Sequence, residues 1–316
     1  MEKASIRLKM SRETSQLLSV LSGLILLSLI FGFMSDKFFS VDNLLTVALQ
    51  SAIIAIIAIG QTYVIITTGI DLSIGSNIAL AGIVAAILMT SGVAVPIAVI
   101  GGLLSGCLVG LINGLIVVYG NIPPFIVTLG TMSIVRGVSL VITKGIPVTD
   151  LPEAFTIIGT GSIASIPIPA AIMFVLVAIF GFVLAKTKLG RYTYAIGSNF
   201  EAARLSGINT KRTLISIYII SGFLAACAGL ILAARVVSAQ PTAGTGYELD
   251  AVAASVIGGA SLLGGEGMIL GTFIGALVIG VLRNGLNLIN VSAFWQQIVI
   301  GAVIIAAVYI DRVKRK

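Results

Sequence analysis

Apolar residues run almost without interruption through this chain and fall into ten stretches. These are Leu17–Met34, Leu44–Thr67, Ser76–Ser91, Val95–Val118, Phe125–Thr143, Pro169–Ala185, Leu214–Ala234, Ala251–Leu263, Met268–Leu286 and Phe294–Ile310. A helix that crosses a bilayer needs about 20 predominantly apolar residues. Ten such stretches with short connections consume most of 316 residues and leave no room for a soluble catalytic domain. Within lipid the backbone must satisfy its own hydrogen bonds, so long apolar runs are helical. The expected fold is therefore all-α and integral to a membrane. It is one domain over residues 1–316, with about ten transmembrane helices (8–11), some broken or re-entrant. Charged residues make up 10% of the chain, far below the roughly 25% of soluble domains, and the mean hydropathy is +1.14.

The net charge of +7 would suggest a nucleic-acid partner in a soluble protein. Its distribution argues for orientation instead. Fourteen of the nineteen Lys and Arg lie in three clusters, Lys3–Arg12, Lys186–Arg212 and Arg312–Lys316, each beside an apolar run. Basic residues collect on the cytoplasmic side, so both termini and the loop 186–213 are expected to be cytoplasmic, which an even number of spans allows. The segment 144–168, with Pro147, Pro152 and Pro167, is expected to be an external loop. Leu17–Met34 follows a basic start as a secretory signal would, but it is long for one and many spans follow. It reads as an uncleaved first helix.

Several chemistries are excluded. There is no histidine, hence no His metal ligand, triad or proton relay. Cys107 and Cys227 stand within apolar runs as small hydrophobes, and no metal site is expected. A phosphate-cradling P-loop needs Gly-Lys-Ser/Thr; Lys186 is the only Lys followed by Ser or Thr, and Ala185 precedes it. Any ATP and Mg must be bound by a partner polypeptide, and no cofactor is expected in this chain.

Glycine spacing points to close helix packing. Gly102, Gly106, Gly110 and Gly114 fall on one helical face, as do Gly267, Gly271 and Gly275; small residues let membrane helices approach closely. Two segments break the apolar pattern at membrane depth, Thr67–Asn77 with Asp71 and Ile257–Gly267 with Glu266. Such breaks are tolerated where protein buries them or a cavity needs them. Asp71 and Glu266 read first as helix caps. Gln61, Asn77, Asn113 and Asn284 are neutral amides in spans, able to bond a polyhydroxyl solute or to bridge helices. Arg136 and Arg283 are charges in spans, which usually face the protein interior. Gln61, Asp71, Asn77, Asn113, Arg136 and Asn284 are thus the candidates for a pathway or gate.

Four stretches carry a resemblance. They read GIDLSIGS from Gly69, PFIVTLGTMSIVRG from Pro124, GRYTYAIGSNFEAARLSGI from Gly190, and SAQPTAGTGYELDAVAASVIGG from Ser238. Over nearly the whole chain this resembles the ribose/simple-sugar family of ABC importer permeases, and the last stretch is most similar to ribose permeases. The resemblance implies a permease subunit of the bacterial inner membrane that moves a monosaccharide by alternating access. The implied partners are a cytoplasmic ABC ATPase, an extracytoplasmic sugar-binding protein and a second permease copy. It also implies that a coupling helix in the basic loop docks on the ATPase, here Asn199, Phe200, Glu201, Ala202, Ala203, Arg204, Leu205, Ser206 and Gly207. The residues agree: Asn199 can cap a short helix, Gly207 can end it, and Glu201 and Arg204 can pair across one turn. Ala203→Arg or Gly207→Pro is expected to uncouple transport without blocking insertion. The competing reading is an ion-coupled sugar transporter, for which Asp71 and Glu266 are the only acids near the breaks.

Overall fold

Each apolar run becomes a helix in the computed structural model, which describes residues 12–314. The helices are α1 (Arg12–Met34), α2 (Val41–Ile66), α3 (Ile74–Thr90), α4 (Val95–Gly120), α5 (Pro124–Thr143), α6 (Glu153–Thr160), α7 (Ile168–Lys186), α8 (Lys188–Ser198), α9 (Phe200–Leu205), α10 (Thr210–Val236), α11 (Tyr247–Ile257), α12 (Ile269–Leu288) and α13 (Ala293–Lys314). A two-residue hairpin, β1 (Ser162–Ile163) with β2 (Ile166–Pro167), is the one strand pair among the described residues. The basic cluster that begins at Lys3 lies outside the described residues up to Arg12, as do Arg315 and Lys316.

Among the described residues, seven helices are long and apolar enough to cross a membrane: α1, α2, α4, α5, α7, α10 and α12. The expected ten passes include three more helices. Among these, α3 and the Ala293–Val303 part of α13 are shorter apolar helices, and α11 has 11 residues. Helix starts follow local chemistry. Ser40 caps α2 by accepting from the Asn43 N–H at 3.4 Å, and prolines sit in the first turns of α4, α5 and α7, where no amide donor is needed.

The interior is built on α2 and α10. Ser51 to Ile66 of α2 is buried without a break, and α10 lies against α2, α3 and α4. The glycine face of α4 explains how close that contact is. A Cβ on Gly106 would stand 2.6 Å from the Gly222 carbonyl, and one on Gly114 would stand 2.9 Å from Cα of Ile215. One on Gly110 would run into the Tyr218 carbonyl. The two helices therefore meet backbone to backbone, which multiplies short dispersion contacts. Gly271 and Gly275 do the same for α12 against Gly258 and Ala254. By contrast α1 buries almost none of its surface, as a helix bathed in lipid can.

Because α7 runs from the hairpin to α8 and α10 runs back, the two long loops cap opposite ends of the bundle. The segment 144–168 is more ordered than a turn-rich loop would be. Phe155 of α6 is fully buried beside Ala233 and Ala234, and Val148 and Ala239 exchange both backbone hydrogen bonds at 2.9 Å. The basic loop 186–213 forms α8 and α9 at the other end.

Candidate functional site

The short helix in the basic loop forms where its residues allow it. Asn199 accepts from the Ala202 N–H at 2.9 Å, and Gly207 takes φ +82° as the turn closes, a backbone region that glycine occupies without strain. Glu201 and Arg204 pair at 2.7 Å on the exposed face. Phe200 and Leu205 are also exposed, Leu205 by 80%. A large apolar side chain held out on a basic loop is a contact surface in want of a cover. Ala203 faces the other way and is buried. An arginine there would have to enter the packed underside, so Ala203→Arg disturbs the helix itself and does not isolate docking as expected. Gly207→Pro conflicts with the positive φ.

Behind α9, the end of α8 is joined to both broken segments. The Tyr194 hydroxyl donates to the Gly267 carbonyl at 2.6 Å. The Gly265 N–H donates to the Ile66 carbonyl at 2.9 Å, which ties the second break to the end of α2. Gly197 lies against both groups, so close that a Cβ would overlap the Ile66 carbonyl. Three stretches distant in sequence thus meet through backbone atoms with no soft side chain between them.

The first break turns at Asp71, which is buried. Its carboxylate accepts from the Ser73 N–H at 3.0 Å, the Ser73 hydroxyl at 2.6 Å and the Ser221 hydroxyl at 2.7 Å. Gln61 Oε1 accepts from the Asp71 N–H at 3.3 Å, and Asn113 Nδ2 donates to the Ser73 hydroxyl at 2.8 Å. One turn on, Asn77 Nδ2 donates to the carbonyls of Gly106 and Gly222, both at 3.3 Å. Gln61, Asp71 and Asn113 therefore form one network that fastens the break to α2, α4 and α10, and Asn77 separately ties α3 to α4 and α10. Asp71 is not the cap of α3 that was expected: Ser73 is the N-cap residue and no side chain caps the helix, while the Asp71 carboxylate closes a turn onto Ser73 and reaches α10.

The other two candidates stand apart. Asn284 and Asn43 bridge α12 and the start of α2 with reciprocal amide bonds of 2.8 and 3.0 Å. Arg136 braces the segment after α10, donating from Nη1 to the carbonyls of Pro241 at 2.6 Å and Ala243 at 2.8 Å. That segment roofs a cavity of about 230 Å³ between the middle of α3 and the last turns of α10. Among the described residues no three of Cys, Asp and Glu come together as metal ligands would.

The chain matches the family described as branched-chain amino acid transport system / permease component, over residues 43–308. It belongs to that permease family. It is 46% identical over 292 residues to a ribose import permease of Haemophilus influenzae, covering 91% of this chain and 90% of the relative. Identity to the ribose import permease of Bacillus subtilis is 47% over 294 residues, covering 92% and 91%. A D-allose transport system permease of Escherichia coli is 40% identical over 289 residues, covering 91% and 89%. No solved structure matches the chain. The protein is a multi-pass inner-membrane permease of an ABC import system, a transport component and not an enzyme. Such a component works with an ATPase and a binding protein.

Two features of the permease escaped the sequence reading. Asp250 stands just before the apolar run that begins at Ala251, yet it is buried on α11, and Nη2 of Arg283 donates to both of its carboxylate oxygens, at 2.9 and 2.7 Å. Arg283 therefore neutralises a buried carboxylate. A charge of each sign in otherwise apolar surroundings was the signal that could have paired them. The roof segment Ser238–Tyr247 was noted only as a motif, because no periodicity marks a loop as the wall of a cavity.

Proposed function

We propose that this permease imports ribose, driven by a separate ATPase that docks on α9 and supplied by an extracytoplasmic sugar-binding protein. The identity to ribose import permeases over about nine-tenths of both chains supports the substrate. The observation that carries the coupling reading is the position of α9: a capped helix with Phe200 and Leu205 exposed, one short helix away from the junction of both breaks.

Two permease copies pair to enclose the pathway. ATP binding draws the two ATPase subunits together and displaces α9 in each copy. α8 moves with α9, and the Tyr194–Gly267 and Ile66–Gly265 contacts pass the movement to the segments on either side of the pathway. The Asp71 network then acts as a polar hinge, since its hydroxyl partners can exchange bonds without stranding a buried carboxylate. ATP and Mg reside on the partner; this chain supplies the path and the lever.

The test is uptake of radiolabelled ribose into proteoliposomes holding the permease, its ATPase and the binding protein. Uptake is expected to require ATP inside and to stop when the ATPase is inactivated. Uptake that survives ATPase inactivation and collapses with the ion gradient would replace this reading with ion-coupled transport.

A further inference from the structure

We infer that the cavity between α3, the end of α10 and the Ser238–Tyr247 segment is a binding site for an uncharged monosaccharide inside the permease, with Gln240 as a residue that holds its hydroxyls. The inference rests on the sugar-permease reading and adds where the cargo sits and what grips it.

The cavity measures about 230 Å³. Its floor is made of small residues such as Ala79, Gly82 and Gly229, and no charged side chain lines it. A cation or anion would find no opposite charge on such walls, whereas the hydroxyls of a neutral polyol need only neutral hydrogen-bond partners, without which their burial is costly. The polar side chains are neutral; Ser238 and Thr245 bond carbonyls close by in the chain, while Gln240 and Thr242 are exposed at the mouth. Among the described residues, the side chains of Gln240 and Thr242 make no hydrogen bond to protein, nor does the Tyr247 hydroxyl. An amide offers two donors and an acceptor, and each hydroxyl offers both roles, which suits a ring bearing several hydroxyls. Tyr247 adds an aromatic surface with one apolar face and one polar tip.

The site is also held in shape before any ligand arrives. Arg136 fixes two carbonyls of the roof, the Val148–Ala239 bridge anchors its start, and Gly246 accepts φ +85° where α11 begins. Donors placed in advance bind without the ordering that a loose loop would require. The site lies beside the α3 turn that bears Asn77, so movement of the first break changes its wall. Movement at α9 can therefore alter the grip on a solute in the opposite half of the molecule.

The test uses the full permease bound to its ATPase, in detergent and without the binding protein. In a chain carrying Cys107→Ala and Cys227→Ala, Thr242→Cys is labelled with a small maleimide, with and without ribose, and with leucine as the control. Ribose is expected to slow labelling several-fold, and leucine to leave it unchanged. Gln240→Leu is expected to weaken ribose protection about fivefold, the effect of one neutral hydrogen bond, with ATPase co-purification intact. If Thr242→Cys fails to assemble, Thr245→Cys serves in the same assay. Labelling that ribose leaves unchanged, in a transporter that imports ribose, overturns the inference, as does equal slowing by leucine. A transporter that imports leucine and not ribose overturns the underlying reading instead.

Discussion

Tyr194 on α8 donates its hydroxyl to the carbonyl of Gly267, 73 residues away and at the end of the second break, at 2.6 Å. This bond links the exposed helix pair to the interior without involving a membrane-spanning helix. Tyr194→Phe keeps the ring and its packing and removes only the bond. A neutral hydrogen bond contributes about 1 kcal/mol, so ribose moved per ATP hydrolysed is expected to fall by about fivefold. Co-purification of the ATPase should not change. Parallel measurement of uptake and phosphate release checks this; an unaltered ratio would assign the bond a purely structural role.

Leu205 and Phe200 point outward from α9. Leu205→Glu should leave the fold intact, because exposed substitutions shift stability by less than about 0.5 kcal/mol. The docking surface, however, loses its apolar centre, and such central residues dominate binding. The variant is expected to insert and purify normally while the ATPase no longer co-purifies. A stable complex with wild-type uptake would rule out α9 as the contact.

Arg283, part-exposed, pairs with Asp250, whose carboxylate is almost fully enclosed. Removing one partner strands the other charge, at a cost of about 3–5 kcal/mol. Arg283→Ala is therefore expected to lower the melting temperature and the membrane yield sharply. Asp250→Asn combined with Arg283→Gln should recover much of the loss, since neither side chain then carries a charge. Thermal unfolding in detergent, read by the loss of monodisperse protein, distinguishes the two.

Gly110 faces the Tyr218 carbonyl with no space for a Cβ. Gly110→Val must push α4 off α10, and overpacking of this kind costs about 1–3 kcal/mol or more. Poor accumulation is expected from this variant. Gly130→Val, on α5 with nothing within 4 Å of its would-be Cβ, should accumulate as wild type does. Quantifying both in membranes checks the contrast.

The local folding of the basic loop could be read before any coordinates. Asn199, the Glu201–Arg204 spacing and Gly207 each act within one turn of chain, and each took the expected place. The same holds for the glycine face of α4, because helical periodicity alone puts residues four apart on one side. The pathway candidates divide for the opposite reason. Gln61, Asp71, Asn77 and Asn113 were chosen as polar residues in apolar runs, a criterion that says nothing about partners. It therefore grouped them with Arg136 and Asn284, which fasten other parts of the bundle.

The sequence by itself determined that this chain lives in a bilayer, that its interior is helical, where its helices break and which loop carries the exposed short helix. Those properties follow from transfer free energy and from contacts within a turn or two of chain, which need no knowledge of neighbours. Only the tertiary structure decided that Gly265 bonds Ile66, that Tyr194 bonds Gly267, that Arg283 answers Asp250, and that Ser238–Tyr247 roofs a cavity. Each of these depends on how helices far apart in the chain come to lie side by side, and close backbone approach through glycine leaves no side-chain pattern from which a partner could be named.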